Sequence, residues 1–284
     1  MDCYNLSKND LVNCKQIKFT VVPTLEELNL RIAREIASHI KAKNERGDKS
    51  YLILPVGPLT YSYLADICNR EKIDLSNLEI FMMDEYVGED GNIISHDHPL
   101  SFFRFMKKGL VDNLDKDLGF DLRKIHFPDP HHPEVVTKKI ESVGGVDISY
   151  GGFGIPGHFA FNDPPEPGLN MTVEQMKNIR ARTLTISRES ITQMAMGGTN
   201  GNLDIIPGRA VSLGMYELLM SKKIHLTFMR SWHAGVLRRA LFGPVTVRCP
   251  GSLIRKHPDF EVTLTEIAAR PPLLNVSQAT GAGE

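Results

Sequence analysis

The residues best suited to chemistry in this chain are one histidine and two aspartates, each placed where the chain turns after a strand-like run. His158 and Asp163 fall in residues 151–165, G-G-F-G-I-P-G-H-F-A-F-N-D-P-P, directly after 146–150, which reads as a short buried strand. Four glycines within seven residues of that stretch are costly unless the backbone turns sharply or lies against a ligand. Asp84 follows a second apolar run, Ile80-Phe81-Met82-Met83. An imidazole titrating near neutrality both accepts and donates protons, and a carboxylate beside an apolar strand is partly desolvated and made more basic. A histidine and carboxylates arriving from separate strand ends suit proton abstraction next to a carbonyl.

Those groups meet only if the strands that carry them lie side by side with their carboxyl ends on one rim. Residues 17–22 read as a β-branched strand, and Thr24 with Glu27 gives a capping-box signature for a helix carrying Leu28, Ile32, Ile36 and Ile40. Further strands are predicted at 51–55, 78–83, 124–127, 146–150, 183–187, 210–213, 224–228 and 261–265. Helical patterns fall at 60–70, around Leu100 to Leu110, and at 134–143, 215–220 and 233–241. This alternation predicts an α/β fold, three-layer and Rossmann-like, with a mainly parallel sheet and helices on both faces. Ligands bind such sheets at the carboxyl ends of the strands. Residues 1–16 read as a polar leader, 17–269 as a single domain, and 270–284, with Pro271-Pro272 followed by Gly, Ala and Ser, as a disordered tail.

The totals narrow the classes. Lys plus Arg (33) nearly balances Asp plus Glu (34), so the formal net charge of -1 implies no bulk attraction to nucleic acid or an anionic membrane. Any anionic substrate must then be held by local groups. Cys3, Cys14, Cys68 and Cys249 are scattered without metal-like spacing and read as reduced thiols. His96-x-His98 and His131-His132 lie beside prolines in polar stretches and read as solvated loops, so no metal site is expected. With no apolar run near the roughly 20 residues that span a bilayer, the expectation is a soluble, cytoplasmic protein.

Longer motifs surround the candidate residues. Met83-Asp84-Glu85-Tyr86-Val87-Gly88, His98-Pro99-Leu100-Ser101, the pattern G-G-x-G-x-x-G-H-x-A-F-N at 151–162 and the strand-like segment 209–214 occur in that order. With these motifs the chain resembles the glucosamine-6-phosphate deaminase/isomerase family, over residues 17–265. The resemblance implies an enzyme acting on an aldose that bears an amino group and a phosphate, giving the ketose phosphate and ammonia. By motif position, Asp84 would move a proton between C2 and C1, His158 would open the pyranose ring, and Asp163 would support the histidine. Gly57, Thr60, Glu85, Gly154, Gly157, Asn162 and His233 are then the expected substrate contacts. No metal or organic cofactor is implied, the partner is a small-molecule sugar or sugar phosphate, and a homo-oligomer is expected, with the apolar helix at 102–106 as its exposed face.

The chain also departs from the family's pattern. Where the family has Asp-Gly-His, this chain has Pro156-Gly157-His158, and the glutamate after Phe-Asn is the shorter Asp163. The phosphate-cradling loop, P-T/S-G-G-T/S in the family, is Pro55-Val56-Gly57-Pro58-Leu59-Thr60, in which Pro58 has no N–H to donate. His233 stands at the family's lysine and Met194 at its arginine, with Arg188, Arg230 and His233 as replacement cations. The expectation is a divergent member whose substrate has its anionic group changed, displaced or missing. A 6-phosphogluconolactonase-like hydrolase and a non-catalytic sugar sensor or pseudoenzyme are the alternatives; the former usually carries an acid-Glu-Arg run where this chain has Asp84-Glu85-Tyr86.

Overall fold

The computed structural model describes residues 2–57 and 59–272, so Pro58 and most of the tail expected at 270–284 lie outside the described residues. Ten strands are β1 (Lys18–Val22), β2 (Ser50–Leu54), β3 (Leu78–Met82), β4 (Asp84–Val87), β5 (Ile125–His126), β6 (Ile148–Gly151), β7 (Arg182–Thr185), β8 (Arg209–Ser212), β9 (Lys223–Phe228) and β10 (Phe260–Thr265). The helices are α1 (Lys8–Val12), α2 (Leu25–Glu45), α3 (Ser62–Glu71), α4 (Phe102–Gly109), α5 (Glu134–Ser142), α6 (Val173–Lys177), α7 (Arg188–Gly198), α8 (Met215–Leu219), α9 (His233–Phe242) and α10 (Glu266–Ala269).

Seven strands form one parallel sheet in the order β1-β10-β9-β6-β2-β3-β5. Its central strands are buried on both faces, which is why β3 reads as an unbroken apolar run apart from Glu79. Side chains alternate across the sheet: Leu52, Leu54, Ile80 and Met82 pack with the α2 stripe of Leu28, Ile32, Ile36 and Ile40. Ile53, Phe81, Leu226 and Phe228 pack on the other face with Ile140 of α5 and Leu237 of α9. The three layers are therefore helix, sheet, helix.

The chain leaves this sheet at Met83. β4 pairs antiparallel with β8, and β8 with β7, in a separate three-stranded sheet. The strands expected at 183–187 and 210–213 thus form a second sheet, and Asp84-Glu85, expected at the end of the strand 78–83, begins a strand of that sheet. The small sheet exists because Tyr86, Ala210 and Ile186 share a third apolar cluster with Phe102 of α4, Phe161 and Ala195 of α7. That cluster also corrects the expected exposed face at 102–106: Phe102 and Met106 are buried, and Phe103 and Phe105 are only partly exposed. The polar leader folds back onto the body, with Leu11 buried in the core and the Leu6 carbonyl accepting from Arg238 Nε at 2.9 Å.

Asn162 joins the glycine turn to the small sheet. Its amide donates to the carbonyls of Phe159 (2.8 Å) and Leu213 (3.0 Å), and its oxygen accepts from Arg182 Nη1 (2.9 Å), all at a fully buried site. Removing it takes a donor from the buried Phe159 carbonyl and the acceptor from the partly buried Arg182 guanidinium, while the Leu213 carbonyl keeps Ser212 Oγ at 3.1 Å. Asn162→Ala is expected to lower stability by about 2 kcal/mol, checked as a lower denaturant midpoint with an unchanged slope.

Candidate active site

The stretches singled out in the sequence meet at the carboxyl ends of β2, β3, β6 and β9, around a cavity of ≈ 460 Å³. Gly57 and Leu59 line it after β2, Asp84 and Tyr86 from β4, Gly154 and His158 from the glycine turn, Gln193 and Met194 from α7, and Arg230 and His233 after β9. That volume suits a small sugar derivative.

Strand alternation sends the two adjacent carboxylates of β4 to opposite sides. Glu85 is fully buried and accepts from Ser101 Oγ (3.1 Å) and the backbone N–H groups of Phe102 (3.0 Å), Phe103 (2.8 Å) and Tyr86 (2.9 Å). It satisfies the first turn of α4, whose N–H groups have no partner within the helix. The expected substrate contact at Glu85 is therefore corrected to an internal anchor. Asp84 faces the cavity, is 8% exposed, and has no side-chain hydrogen bond among the described residues. Burial, and then the neighbouring charge of Glu85, push its pKa up to about 8.

His158 is held from its Nδ1 side. Asp163 Oδ1 lies 2.7 Å from Nδ1 and Ser190 Oγ 2.9 Å, while Ser190 itself donates to Asp163 Oδ1 at 2.7 Å. A carboxylate facing Nδ1 fixes the proton there in the neutral ring and leaves the Nε2 lone pair free. Burial would raise the Asp163 pKa, but hydrogen bonds from His158, Ser190 and the Ser187 N–H outweigh it and hold the carboxyl below its ordinary range. The shorter Asp163 thus reaches the imidazole, and no acid at position 156 is needed for its tautomer.

The turn shapes the imidazole's seat. A Cβ on Gly154 would fall 2.2 Å from His158 Nε2 and 2.4 Å from its Cε1, so only glycine admits the ring there. Ile155 N–H donates to Gln193 Oε1 at 2.6 Å, tying the turn to α7. Gly157 sits at φ +89° with Cys249 Sγ 2.5 Å from where its Cβ would be, which corrects its expected substrate contact to a requirement of the turn.

The remaining expected contacts divide. Gly57 and Gly154 line the cavity. Thr60 does not: its N–H donates to Asn29 Oδ1 (3.1 Å) and its hydroxyl meets Ser62 Oγ (3.2 Å), so Leu59 takes the wall position. Asn162 is the structural clamp described above rather than a cavity residue. His233 does line the cavity but carries no charge, since burial and then Arg230 push its pKa down to about 3. Met194 lines the cavity and accepts from Tyr86 OH at 2.7 Å, while Arg188 is exposed. Ser190 and Gln193 were missed because α7 was missed, its pattern blurred by Gly197-Gly198; Ser187, which caps α7 by accepting from Ser190 N–H at 3.2 Å, was the available signal.

No family model matches the chain. The chain is 26% identical over 262 residues to a glucosamine-6-phosphate deaminase of Thermoanaerobacter pseudethanolicus, covering 89% of this chain and 94% of that protein. It is 28% identical over 262 residues to one of Rhodopirellula baltica, covering 89% and 95%. Its fold matches a solved monomeric glucosamine-6-phosphate deaminase with a TM-score of 0.74 at 25% identity, over 89% of this chain and 99% of that one. Over nearly nine-tenths of its length the chain is thus similar to glucosamine-6-phosphate deaminases, at the distance of a divergent relative. It also shares its fold with a Thermotoga maritima 6-phosphogluconolactonase, at TM-score 0.61 and 16% identity over 87% and 98% of the chains.

Away from the cavity, toward the amino ends of β9 and β10, Glu35, His225 and Glu261 bring ligand-type atoms within 4.8 Å of one another. Lys223 Nζ contacts both carboxylates, filling the place a cation would take. No described helix is long and apolar enough to cross a membrane.

Two outcomes are expected from the site's geometry. Gly154→Ala should keep the fold but displace the imidazole, shifting the His158 ring resonances and costing about 10²-fold in turnover. Asp84→Asn should stabilise the protein: the carboxyl's folded pKa of about 8 lies above the unfolded value of about 3.9. Its ionisation therefore costs nothing below the unfolded value, progressively more as pH rises from there, and the full amount above the folded value. The melting-temperature gain of Asp84→Asn should grow across that window and vanish in acid.

Proposed function

We propose that the protein opens the ring of an amino aldose through His158 and transfers a proton between its C2 and C1 through Asp84, yielding a ketose and ammonia. The observation that carries this reading is Asp84, a buried carboxylate without a hydrogen-bond partner among the described residues, on the wall of the cavity that His158 also lines. In the first step the C1–O5 bond breaks, the O1–H proton leaves as the carbonyl forms, and O5 gains a proton, with Nε2 of His158 relaying between the two oxygens. Asp163 and Ser190 hold Nδ1–H throughout, so the ring charges and discharges at one nitrogen.

Asp84 then takes the C2 proton as O1 gains one, giving the enol-amine, and returns its proton to C1 as the nitrogen gives one up, which converts the amino aldehyde to the imine of the ketose. Water adds at C2 and ammonia leaves, so one water is consumed for each ammonia released. The high basicity of Asp84 is what this step needs, because a carboxylate of ordinary pKa is a weak base toward a C–H bond. Its adjacent anion Glu85 contributes without touching the cavity.

The acid must be ionised to act. The rate is therefore expected to rise with pH and level off above about 8, with the limb absent from the residual activity of Asp84→Asn. That variant should lose about 10²- to 10⁴-fold in kcat, and Asp163→Asn should lower kcat without removing the limb. Release of ammonia with ketose formation, followed on amino-sugar phosphates and their unphosphorylated parents, tests the reading; a lactone opened without ammonia, or full activity in Asp84→Asn, overturns it.

A further inference from the structure

The cavity holds one strong cation. Arg230 is the single lysine or arginine among the described residues that line it. It stands just past the carboxyl end of β9, partly buried, and makes no ion pair or side-chain hydrogen bond among the described residues. Its guanidinium lies against α7, where a Cβ on Gly197 would fall 3.0 Å from Arg230 Nη1. A larger residue there would push the guanidinium aside.

One further donor lines the cavity with it. His233 is 5% exposed, and its Nδ1 accepts from the N–H groups of Met229 and Arg230, both at 2.9 Å. The ring's proton is thereby placed on Nε2, which has no partner among the described residues while His233 lines the cavity. The N–H groups of His233 and Ala234 that open α9 already donate to the carbonyls of Arg230 and Ser231, both at 3.0 Å, so the donors left over are on side chains. An unpartnered ring donor and an unpaired guanidinium thus line the same cavity.

We infer that Arg230, assisted by Nε2–H of His233, holds an oxyanion on the substrate, and that Arg230 sets the preference for sugars bearing an anionic group over those without one. His233, three residues on, serves beside it as a neutral donor. A phosphate ester and a carboxylate share the required chemistry, since the planar fork of arginine accepts either in a bidentate pair. The inference rests on reading the cavity as a sugar site.

Calorimetric titration decides it, with inorganic phosphate, glucosamine 6-phosphate, glucuronate and glucosamine each added to the Asp84→Asn protein, so that slow turnover does not obscure binding. A sugar bearing an anionic group should bind about 10- to 100-fold tighter than glucosamine, which has none. Arg230→Met in the same background should bring that ratio close to one, and Arg230→Lys should restore part of it. Which of glucosamine 6-phosphate and glucuronate binds more tightly names the oxyanion. A ratio of one before the second substitution, or a ratio unchanged by Arg230→Met with circular dichroism intact, overturns the inference. Tight Arg230-dependent binding without ammonia release by the parent protein would sink the proposed reaction and leave this inference standing. Ammonia released from glucosamine with no preference for charge would do the reverse.

Discussion

The site depends on keeping one carboxylate out of water and away from any partner. Asp84 achieves this because β3 ends at Met82 and the chain enters a different sheet two residues later, at the edge of a cavity. Glu85, one residue on, is as deeply buried but surrounded by four donors, so it remains as a fixed structural group. The pair shows how a two-residue strand period divides labour between neighbours of nearly equal chemistry. One carboxylate organises α4, and the other stays basic.

The histidine is governed by the opposite principle, complete satisfaction on one side. Asp163 and Ser190 use up Nδ1, and Gly154 leaves room for the ring. The turn also carries strain: Ala160 sits at φ 50°, a left-handed conformation that an L residue adopts at a cost of about 1–2 kcal/mol. Asn162 and the Phe161 N–H bond to Ser212 Oγ (3.1 Å) over-determine the backbone around it. Strain held by surrounding bonds is common where side chains must be aimed.

Much of this architecture was legible in the sequence. The β-branched runs and the α2 stripe specify parallel strands and their covering helices directly, because burial on both faces leaves little room for other residue types. The junction at Met83 was not legible, since a four-residue strand whose partner lies over a hundred residues away has no local signature. The same holds for Glu85, Thr60 and Asn162: a motif names residues that recur together, but it does not say whether they face the ligand or the backbone. His233 was misread as a cation because its burial and its two backbone donors arise only in three dimensions.

Asp163 meets His158 with one oxygen and the Ser187 N–H at the start of α7 with the other, at 3.3 Å. The acid that aims the imidazole is therefore also a docking point for the helix that lends Gln193 and Met194 to the cavity wall. In evolutionary terms this frees position 156 from any polar duty and makes proline tolerable there. The histidine's electronics and one docking point of α7 then share a side chain, so selection on either one constrains the other.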